Sequence, residues 1–293
     1  MKRILFISSS RIGDAVLTTG LLDHLIRTYP DARITVATGP VAEGVFARMP
    51  NRERTLLMHK ARFGRHWLTL WAETVTTAWD LVVDIRASAL SYVLVTRRRA
   101  VMRKSQGHKI VQLARLLRLD PPPMPVNWTD DADRSLAASL LQDGAPIIAL
   151  APTANWTGKV WPAESFIALT HRLRETLLPG ARIAIFAGPG AQEAALAAPV
   201  LAAFSDAIDL TGRLDLPQAA SCLARCALFI GNDSGLMHLS AASGCPTLGL
   251  FGPTPSAEYG PAGRCAAPVV SPTPRMQDLT VEAVLAAARQ LLG

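Results

Sequence analysis

Residues 227–243 are Ala-Leu-Phe-Ile-Gly-Asn-Asp-Ser-Gly-Leu-Met-His-Leu-Ser-Ala-Ala-Ser. The first five form a short apolar run typical of a buried strand, and a helical pattern follows from Gly235. A carboxylate, a hydroxyl and a glycine therefore lie where a strand gives way to a helix. In an open α/β sheet ligands bind at the carboxyl ends of the strands, and a helix N-terminus favours anions. The stretch predicts an anion site or, with Asp233 and Ser234 as caps, an ordinary helix start.

Short apolar runs alternate with helical patterns along both halves of the chain. We predict strands over 3–8, 33–38, 55–59, 81–85, 146–151, 181–187, 227–231 and 246–251, and helices over 15–29, 40–48, 64–78, 107–118, 162–176, 191–203, 216–225, 235–243 and 280–292. Strands separated by helices of this length are typical of βαβ units with a parallel sheet. The prolines over 121–125 predict an extended linker. We therefore predict an α/β protein of two doubly wound domains, 1–125 and 126–293, facing a cleft.

The composition favours two well-packed cytoplasmic domains. The 293 residues are 49% hydrophobic and 18% charged, which is enough apolar material for two cores. No apolar run reaches the ~18 residues of a membrane span, and the apolar part of the N-terminal run is too short for a signal peptide. The four cysteines form no C-x-x-C pair, so we expect free thiols, mostly buried, and no metal site.

Charge is distributed unevenly along the chain. Residues 1–125 contain 20 Lys/Arg and 9 Asp/Glu (+11), whereas residues 126–293 contain 10 and 14 (−4), which together give the net charge of +7. Part of the basic excess is the run Arg97-Arg-Arg99. A basic face attracts nucleic acid, phospholipid headgroups or phosphorylated glycolipid. A run of three arginines is, however, more often only a solvated surface.

Two further loops follow predicted strands. Residues 8–14, Ser-Ser-Ser-Arg-Ile-Gly-Asp, lack the glycine pattern of a dinucleotide site. We expect Gly13 to allow a tight turn and Asp14 to stand at the start of the next helix, where the dipole keeps a carboxylate ionised. Asp14 is then a candidate general base or, alternatively, an N-cap. In the second loop, Lys159 precedes a predicted helix N-terminus and would add a cation to a phosphate site.

These loops in this order resemble glycosyltransferase family 9, the lipopolysaccharide heptosyltransferases. The matching pieces are Arg11-Ile-Gly-Asp14, Lys159-Val-Trp-Pro162, Asn232-Asp-Ser-Gly-Leu-Met-His238 and Phe251-Gly-Pro-Thr254, and the match runs through almost the whole chain. Gly20 departs from the pattern, because many members have proline there. The resemblance implies a GT-B fold of two Rossmann-like domains that face a cleft. The N-terminal domain would take the acceptor, and the C-terminal domain would take the nucleotide-sugar. It also implies inverting transfer that needs no metal and no other cofactor.

The resemblance assigns roles to individual residues. Asp14, in the first loop with Arg11 and Gly13, would deprotonate the acceptor hydroxyl. Lys159 would contact the phosphates of the donor, and Asp233 would contact the transferred sugar. The other implied donor-site residues are Ser234, Gly235 and Leu236 through their backbones, His238 in the same helix turn, and Thr153 and Asn155 in the donor loop.

The leading hypothesis is heptose transfer from ADP-heptose to a lipopolysaccharide core or related glycan. The expected partners are a nucleotide-sugar and an anionic glycolipid, without nucleic acid. The expected location is the cytoplasm, with peripheral contact to the cytoplasmic face of the inner membrane as an option. Two alternatives stay open: a sugar-nucleotide epimerase or hydrolase on the same fold, and a non-catalytic nucleotide or nucleic-acid binder. Against the nucleic-acid binder, no aromatic residues interleave the arginines, as single-strand binding favours.

Overall fold

Each half of the chain folds around its own parallel sheet. The computed structural model describes all 293 residues and divides them into Met1–Trp128, here unit 1, and Thr129–Gly293, here unit 2. The boundary between the units lies after Trp128, whereas the predicted boundary lies after residue 125.

Unit 1 contains a five-stranded sheet in the order β3-β2-β1-β4-β5. All neighbouring strands run parallel. The strands are β1 (Arg3–Ile7), β2 (Arg33–Thr38), β3 (Arg52–Leu57), β4 (Trp79–Asp84) and β5 (Thr96–Val101), and the α-helices are α1 (Ile12–Thr28), α2 (Arg65–Thr74), α3 (Leu90–Val93) and α4 (Lys109–Ala114). Segments Pro40–Phe46 and Arg62–Gly64 are 3-10 helices.

Unit 2 contains a six-stranded parallel sheet in the order β11-β10-β9-β6-β7-β8. Its strands are β6 (Ile147–Ala151), β7 (Arg182–Ile185), β8 (Ile208–Asp209), β9 (Leu228–Asn232), β10 (Thr247–Phe251) and β11 (Ala266–Val270). Its α-helices are α5 (Asp131–Leu140), α6 (Ala163–Thr176), α7 (Ala191–Ala203), α8 (Leu216–Leu223), α9 (Gly235–Ala242), α10 (Ser256–Tyr259) and α11 (Val281–Leu292), with 3-10 helices at Thr157–Lys159 and Met276–Asp278.

Both sheets reverse their strand order next to their first strand. In unit 1 the reversal lies between β1 and β4, where Ile7 pairs with Asp84. In unit 2 it lies between β6 and β9, where Ala151 pairs with Gly231. The loops that leave these strands diverge to opposite faces of the sheet, which opens the crevice that ligands of doubly wound folds occupy. A ligand site is therefore expected at the loops that leave these four strands, two loops in each unit.

All eight predicted strands are present within a few residues, and the three strands that the sequence pattern did not indicate lie at sheet edges. β5, β8 and β11 were not predicted as strands, and their residues are largely exposed or half-buried. β5 contains the Arg97-Arg-Arg99 run, so these three arginines lie on an edge strand. Helices α3, α5 and α10 were also missed, and the α-helix expected over 40–48 is a 3-10 helix. An edge strand lacks the continuous apolar run that marks a central one.

The predicted linker over 121–125 contains no helix, but it packs against α1 rather than standing free. Thr19 Oγ1 accepts a hydrogen bond from the backbone N–H of Val126 at 2.9 Å. A Cβ atom on Gly20 would lie 2.5 Å from the carbonyl oxygen of Met124 and 2.6 Å from that of Pro123. Only glycine permits this approach of the chain to the helix.

The cysteines behave as expected. All four are free, and Cys222, Cys226 and Cys245 are buried. Burial raises the pKa of the Cys222 thiol to about 11 and that of Cys245 to about 12. These thiols are therefore protonated and poorly nucleophilic near neutral pH. None of the helices is long and apolar enough to cross a bilayer.

Replacing Gly20 with alanine should destabilise unit 1. In an open helix position this change favours folding by about 1 kcal/mol, but here the new methyl group meets backbone atoms that cannot turn away. We expect the free energy of unfolding, measured in urea, to fall by about 1–3 kcal/mol, as for other overpacked sites. Arg27→Ala, on the exposed face of the same helix, is the control and should shift it by no more than about 0.5 kcal/mol. Unchanged or increased stability of Gly20→Ala would contradict the packing.

Candidate functional site

Three loops of unit 2 meet at the carboxylate of Asp233. Asp233 follows β9, Lys159 lies in the loop after β6, and Thr254 follows β10. Lys159 Nζ donates to Asp233 Oδ2 at 2.7 Å, and Thr254 Oγ1 donates to the same oxygen at 2.8 Å. The side chains of Lys159 and Asp233 are only 20% and 10% exposed. The structure thus joins two predicted site residues that are far apart in the chain and adds Thr254, which had no predicted role.

The residue before this carboxylate holds two of the loops together. Asn232 is fully buried at the end of β9. Its Oδ1 accepts a hydrogen bond from the backbone N–H of Trp161 at 3.0 Å, and its Nδ2 donates to the carbonyl of Thr153 at 3.4 Å. Asn232 was not predicted as a functional residue. A buried asparagine at the end of a central strand is a signal that could have identified it, because such an amide needs partners.

The interpretation of Asp233 and Ser234 as helix-capping side chains is wrong. Ser234 occupies the N-cap position of α9 with extended backbone, but its side chain makes no capping hydrogen bond. Its Oγ is buried and has no hydrogen-bond partner. Asp233 is turned instead to Lys159 and Thr254. The first N–H groups of α9, which starts at Gly235 and Leu236, therefore lack both helical carbonyls and a side-chain cap, as at anion-binding helix starts.

The other residues predicted to bind the donor include both buried and exposed positions. Thr153 is buried and is tied to the site through its carbonyl. Asn155 is exposed in the same loop. His238 is buried in the first turns of α9. Lys159 ends a 3-10 helix, and α6 begins four residues later at Ala163 with Pro162 as its N-cap residue, so Lys159 precedes a helix N-terminus as predicted.

The Asp233 site retains unused hydrogen-bonding capacity. An ammonium group has three donors, and Asp233 takes one of those on Lys159. Both hydrogen bonds to Asp233 fall on Oδ2, which leaves Oδ1 as an acceptor without a protein partner. A ligand at this edge of the sheet can therefore meet a cation, a carboxylate oxygen and a helix N-terminus. This combination suits a phosphorylated molecule that also carries hydroxyl groups.

In unit 1, helix α1 begins earlier than expected and this changes the position of Asp14. Arg11 is the N-cap residue and makes no side-chain capping bond, and Gly13 lies inside the first turn. Asp14 is in the first turn as well, so its interpretation as an N-cap is wrong, as is that of Gly13 as a tight turn. The Asp14 carboxylate is half-buried, with Ser9 Oγ donating to Oδ2 at 3.5 Å. The negative charge of this carboxylate therefore lies at the N-terminal end of the helix dipole of α1.

The loop after β4, at the same edge of unit 1, was not predicted from the sequence. Asp84, fully buried at the end of β4, accepts hydrogen bonds from the N–H groups of Arg86 and Ser88, both at 2.8 Å, and from the Ser88 hydroxyl at 2.6 Å. Arg86 Nη1 in turn donates to Ser10 Oγ at 2.8 Å. The loops after β1 and β4 are thus joined by a cation that stands at the same edge as Asp14.

Removing the amide of Asn232 should loosen the loops of unit 2. Asn232→Ala leaves the Trp161 N–H and the Thr153 carbonyl without their partner in a buried site. We expect the free energy of unfolding to fall by about 1–3 kcal/mol in urea. Asn155→Ala, an exposed asparagine of the same loop, is the matched control and should change it by less than about 0.5 kcal/mol. Equal effects of the two substitutions would show that the Asn232 amide does not brace the loops.

Comparisons with known proteins identify relatives over nearly the whole chain. The sequence profile described as "Glycosyltransferase family 9 (heptosyltransferase)" matches residues 68–287. The lipopolysaccharide heptosyltransferase 2 of Salmonella typhimurium is 24% identical over 297 residues, which covers 86% of this chain and 83% of the relative. A family 9 glycosyl transferase structure from Veillonella parvula has a TM-score of 0.81 at 21% identity, covering 99% of this chain and 97% of that one. The E. coli ADP-heptose lps heptosyltransferase II has a TM-score of 0.79 at 21% identity, covering 100% and 98%.

The structural likeness and the strand order confirm the predicted fold class, a GT-B type built from two Rossmann-like units. The family profile covers 220 of the 293 residues, counted from its limits of 68 and 287. The resemblance found in the sequence motifs is therefore confirmed. The chain is a glycosyltransferase, and it belongs to glycosyltransferase family 9.

Proposed function

We propose that this glycosyltransferase moves a heptose-type sugar from a nucleotide diphosphate donor, ADP-heptose, to a lipopolysaccharide core or related glycan. The names of the relatives support the sugar and the acceptor, and the E. coli structure supports the donor. The observation that carries the proposal is the Lys159–Asp233–Thr254 arrangement beside the uncapped start of α9. We place the donor on unit 2 and the acceptor on unit 1. Four free cysteines suit a reducing compartment, which supports the cytoplasm.

The diphosphate of the donor would lie against Lys159 and the start of α9. The two remaining donors on Nζ and the backbone N–H groups of Ser234, Gly235 and Leu236 would meet its oxygens. When the bond between the sugar and the diphosphate breaks, negative charge grows on the phosphate oxygens. Donors fixed in a partly buried site stabilise that charge more than water does. This supports our proposal that the reaction needs no metal and no other cofactor.

Asp233 would act in two ways. Through Oδ2 it holds Lys159 in place, and through Oδ1 it can accept a hydrogen bond from a hydroxyl of the transferred sugar. The Thr254 hydroxyl, which donates to the same Oδ2, limits the rotation of the carboxylate. We include His238, Thr153 and Asn155 among the residues around the donor.

On the acceptor side, we propose Asp14 as the general base, with Arg11 and Gly13 in the loop that presents it. The carboxylate would take the proton of the acceptor hydroxyl as the oxygen attacks the anomeric carbon. The glycosidic bond forms while the bond to the diphosphate breaks, and the nucleoside diphosphate leaves with the electron pair. Attack opposite to the leaving group inverts the anomeric configuration.

Replacing Asp14 with asparagine should remove the base and keep the size of the side chain. We expect kcat to fall by about 10²- to 10⁴-fold, the usual contribution of a general base, with an unchanged Kd for ADP. The assay follows transfer from ADP-heptose to a lipopolysaccharide core acceptor. Asp31→Asn, an exposed carboxylate after the same helix, is the matched control and should keep wild-type turnover. Near-normal turnover of Asp14→Asn would exclude Asp14 as the base.

The same assay tests the rest of the mechanism. EDTA should leave the rate unchanged, and NMR of the product should show the anomeric configuration opposite to that of the donor. Retention of configuration would exclude the single displacement. Consumption of the donor at the same rate without acceptor would favour an epimerase or a hydrolase.

The identity of the nucleotide can be tested by thermal stabilisation, since a ligand that binds the folded state raises the melting temperature. We expect ADP to raise the Tm and UDP and GDP at equal concentration to leave it unchanged. Lys159→Met should weaken ADP binding by about 10- to 100-fold, as for loss of a charged hydrogen bond. Lys159→Arg, which keeps the charge, should lose less, and the exposed Lys104→Met is the control. Equal ADP affinity of Lys159→Met and Lys104→Met would contradict the phosphate contact.

A further inference from the structure

Unit 1 contains a cavity of about 530 Å³ that the proposed reaction does not use. It lies beside the edge strand β5. Helix α3 borders it on one side, and α4 with the residues that follow it borders it on the other. Four arginines line it: Arg99, Arg103, Arg115 and Arg118. Tyr92 and Gln112 also contribute to its wall, and no Asp or Glu side chain does.

The positive charge around this cavity is not compensated by the surrounding sequence. Residues 85–119 contain nine Lys/Arg and no Asp/Glu. The Arg99 guanidinium donates hydrogen bonds to the carbonyls of Ser91 and Leu94. Arg115 donates to the carbonyl of Gln106 at 3.0 Å. These contacts orient two of the guanidinium groups without neutralising them. Four arginines in one cavity repel each other unless an anion binds, and guanidinium groups match phosphate oxygens in geometry.

The rim of the cavity is apolar on one side. Tyr92, Val93 and Val95 are 65%, 62% and 66% exposed, and Tyr92 also lines the cavity. Leu94 between them is buried, but three exposed apolar side chains this close together are uncommon on a surface that only meets water. Tyrosine is enriched where protein meets the headgroup region of a bilayer, because its ring is apolar and its hydroxyl is polar.

We propose that this cavity binds the phosphate of an anionic membrane lipid, with Tyr92, Val93 and Val95 entering the headgroup region. A free phosphate would use the arginines but would not require the apolar rim. Single-stranded nucleic acid would require several aromatic side chains for stacking, whereas Tyr92 is the only aromatic residue that lines the cavity. A lipid phosphate uses both features. None of the residues that line the cavity is among the proposed donor and acceptor residues.

The test is co-sedimentation of the full chain with vesicles of phosphatidylglycerol and phosphatidylcholine, compared with phosphatidylcholine alone. We expect binding only to the anionic vesicles. Arg103→Gln/Arg118→Gln should weaken it by about 10- to 30-fold, the effect expected for two basic residues at a membrane surface. Neither side chain donates a hydrogen bond within the protein, so the fold should persist. Arg264→Gln/Arg289→Gln removes two exposed arginines from unit 2 and should leave binding within about twofold, which controls for net charge.

A second variant, Val93→Ser/Val95→Ser, should weaken vesicle binding by about threefold or more without changing the charge. Absence of binding to the anionic vesicles, or an equal loss in the unit 2 control, would overturn the proposal. So would stabilisation by inorganic phosphate without vesicle binding, which would assign the cavity to a free anion. Tighter binding of a single-stranded oligonucleotide, lost in Arg103→Gln/Arg118→Gln, would assign it to nucleic acid.

Discussion

The arrangement of unit 2 depends on one partly buried carboxylate that must be paired. Oδ2 of Asp233 accepts hydrogen bonds from Lys159 and from Thr254, which belong to the loops after β6 and β10. A carboxylate with so little exposure is costly without such partners. Because Asn232 directly before it ties the loop after β6 to the strand end, the backbone cannot move away from this pairing. The result is a preorganised group of donors beside the N-terminus of α9.

Unit 1 also has a buried carboxylate beside the reversal of strand order, but its hydrogen-bond partners are different. Asp84 also ends a central strand beside the reversal of strand order, and it is fully buried. Its oxygens are taken by the backbone and hydroxyl groups of its own loop, so it shapes that loop and has a structural role. Arg86 then reaches across to Ser10 in the loop after β1. Asp14, the carboxylate that we propose as the general base, lies on the helix that follows β1.

The central parts of the two sheets could be predicted from the sequence because their strands are buried on both faces. β1 and β9 are short continuous apolar runs, which is the pattern of a strand in a parallel sheet. β5, with three arginines in succession, does not show that pattern, because an edge strand needs apolar side chains on few of its positions. Local spacing also misplaced the start of α1, since Gly13 favoured a turn and the helix includes it.

The loops that carry Asp14, Lys159 and Asp233 could be found because polar residues after an apolar run at a helix start are a local signal. The two Rossmann-like halves, the family and the residue types available at each sheet edge could therefore be predicted from the sequence. Which of these residues meet depends on how the sheet is assembled. Lys159 and Asp233 are 74 positions apart, and the contacts of Asn232 with Trp161 and Thr153 span similar separations. Such contacts arise from strand order, because β6 and β9 become neighbours only when the sheet is assembled.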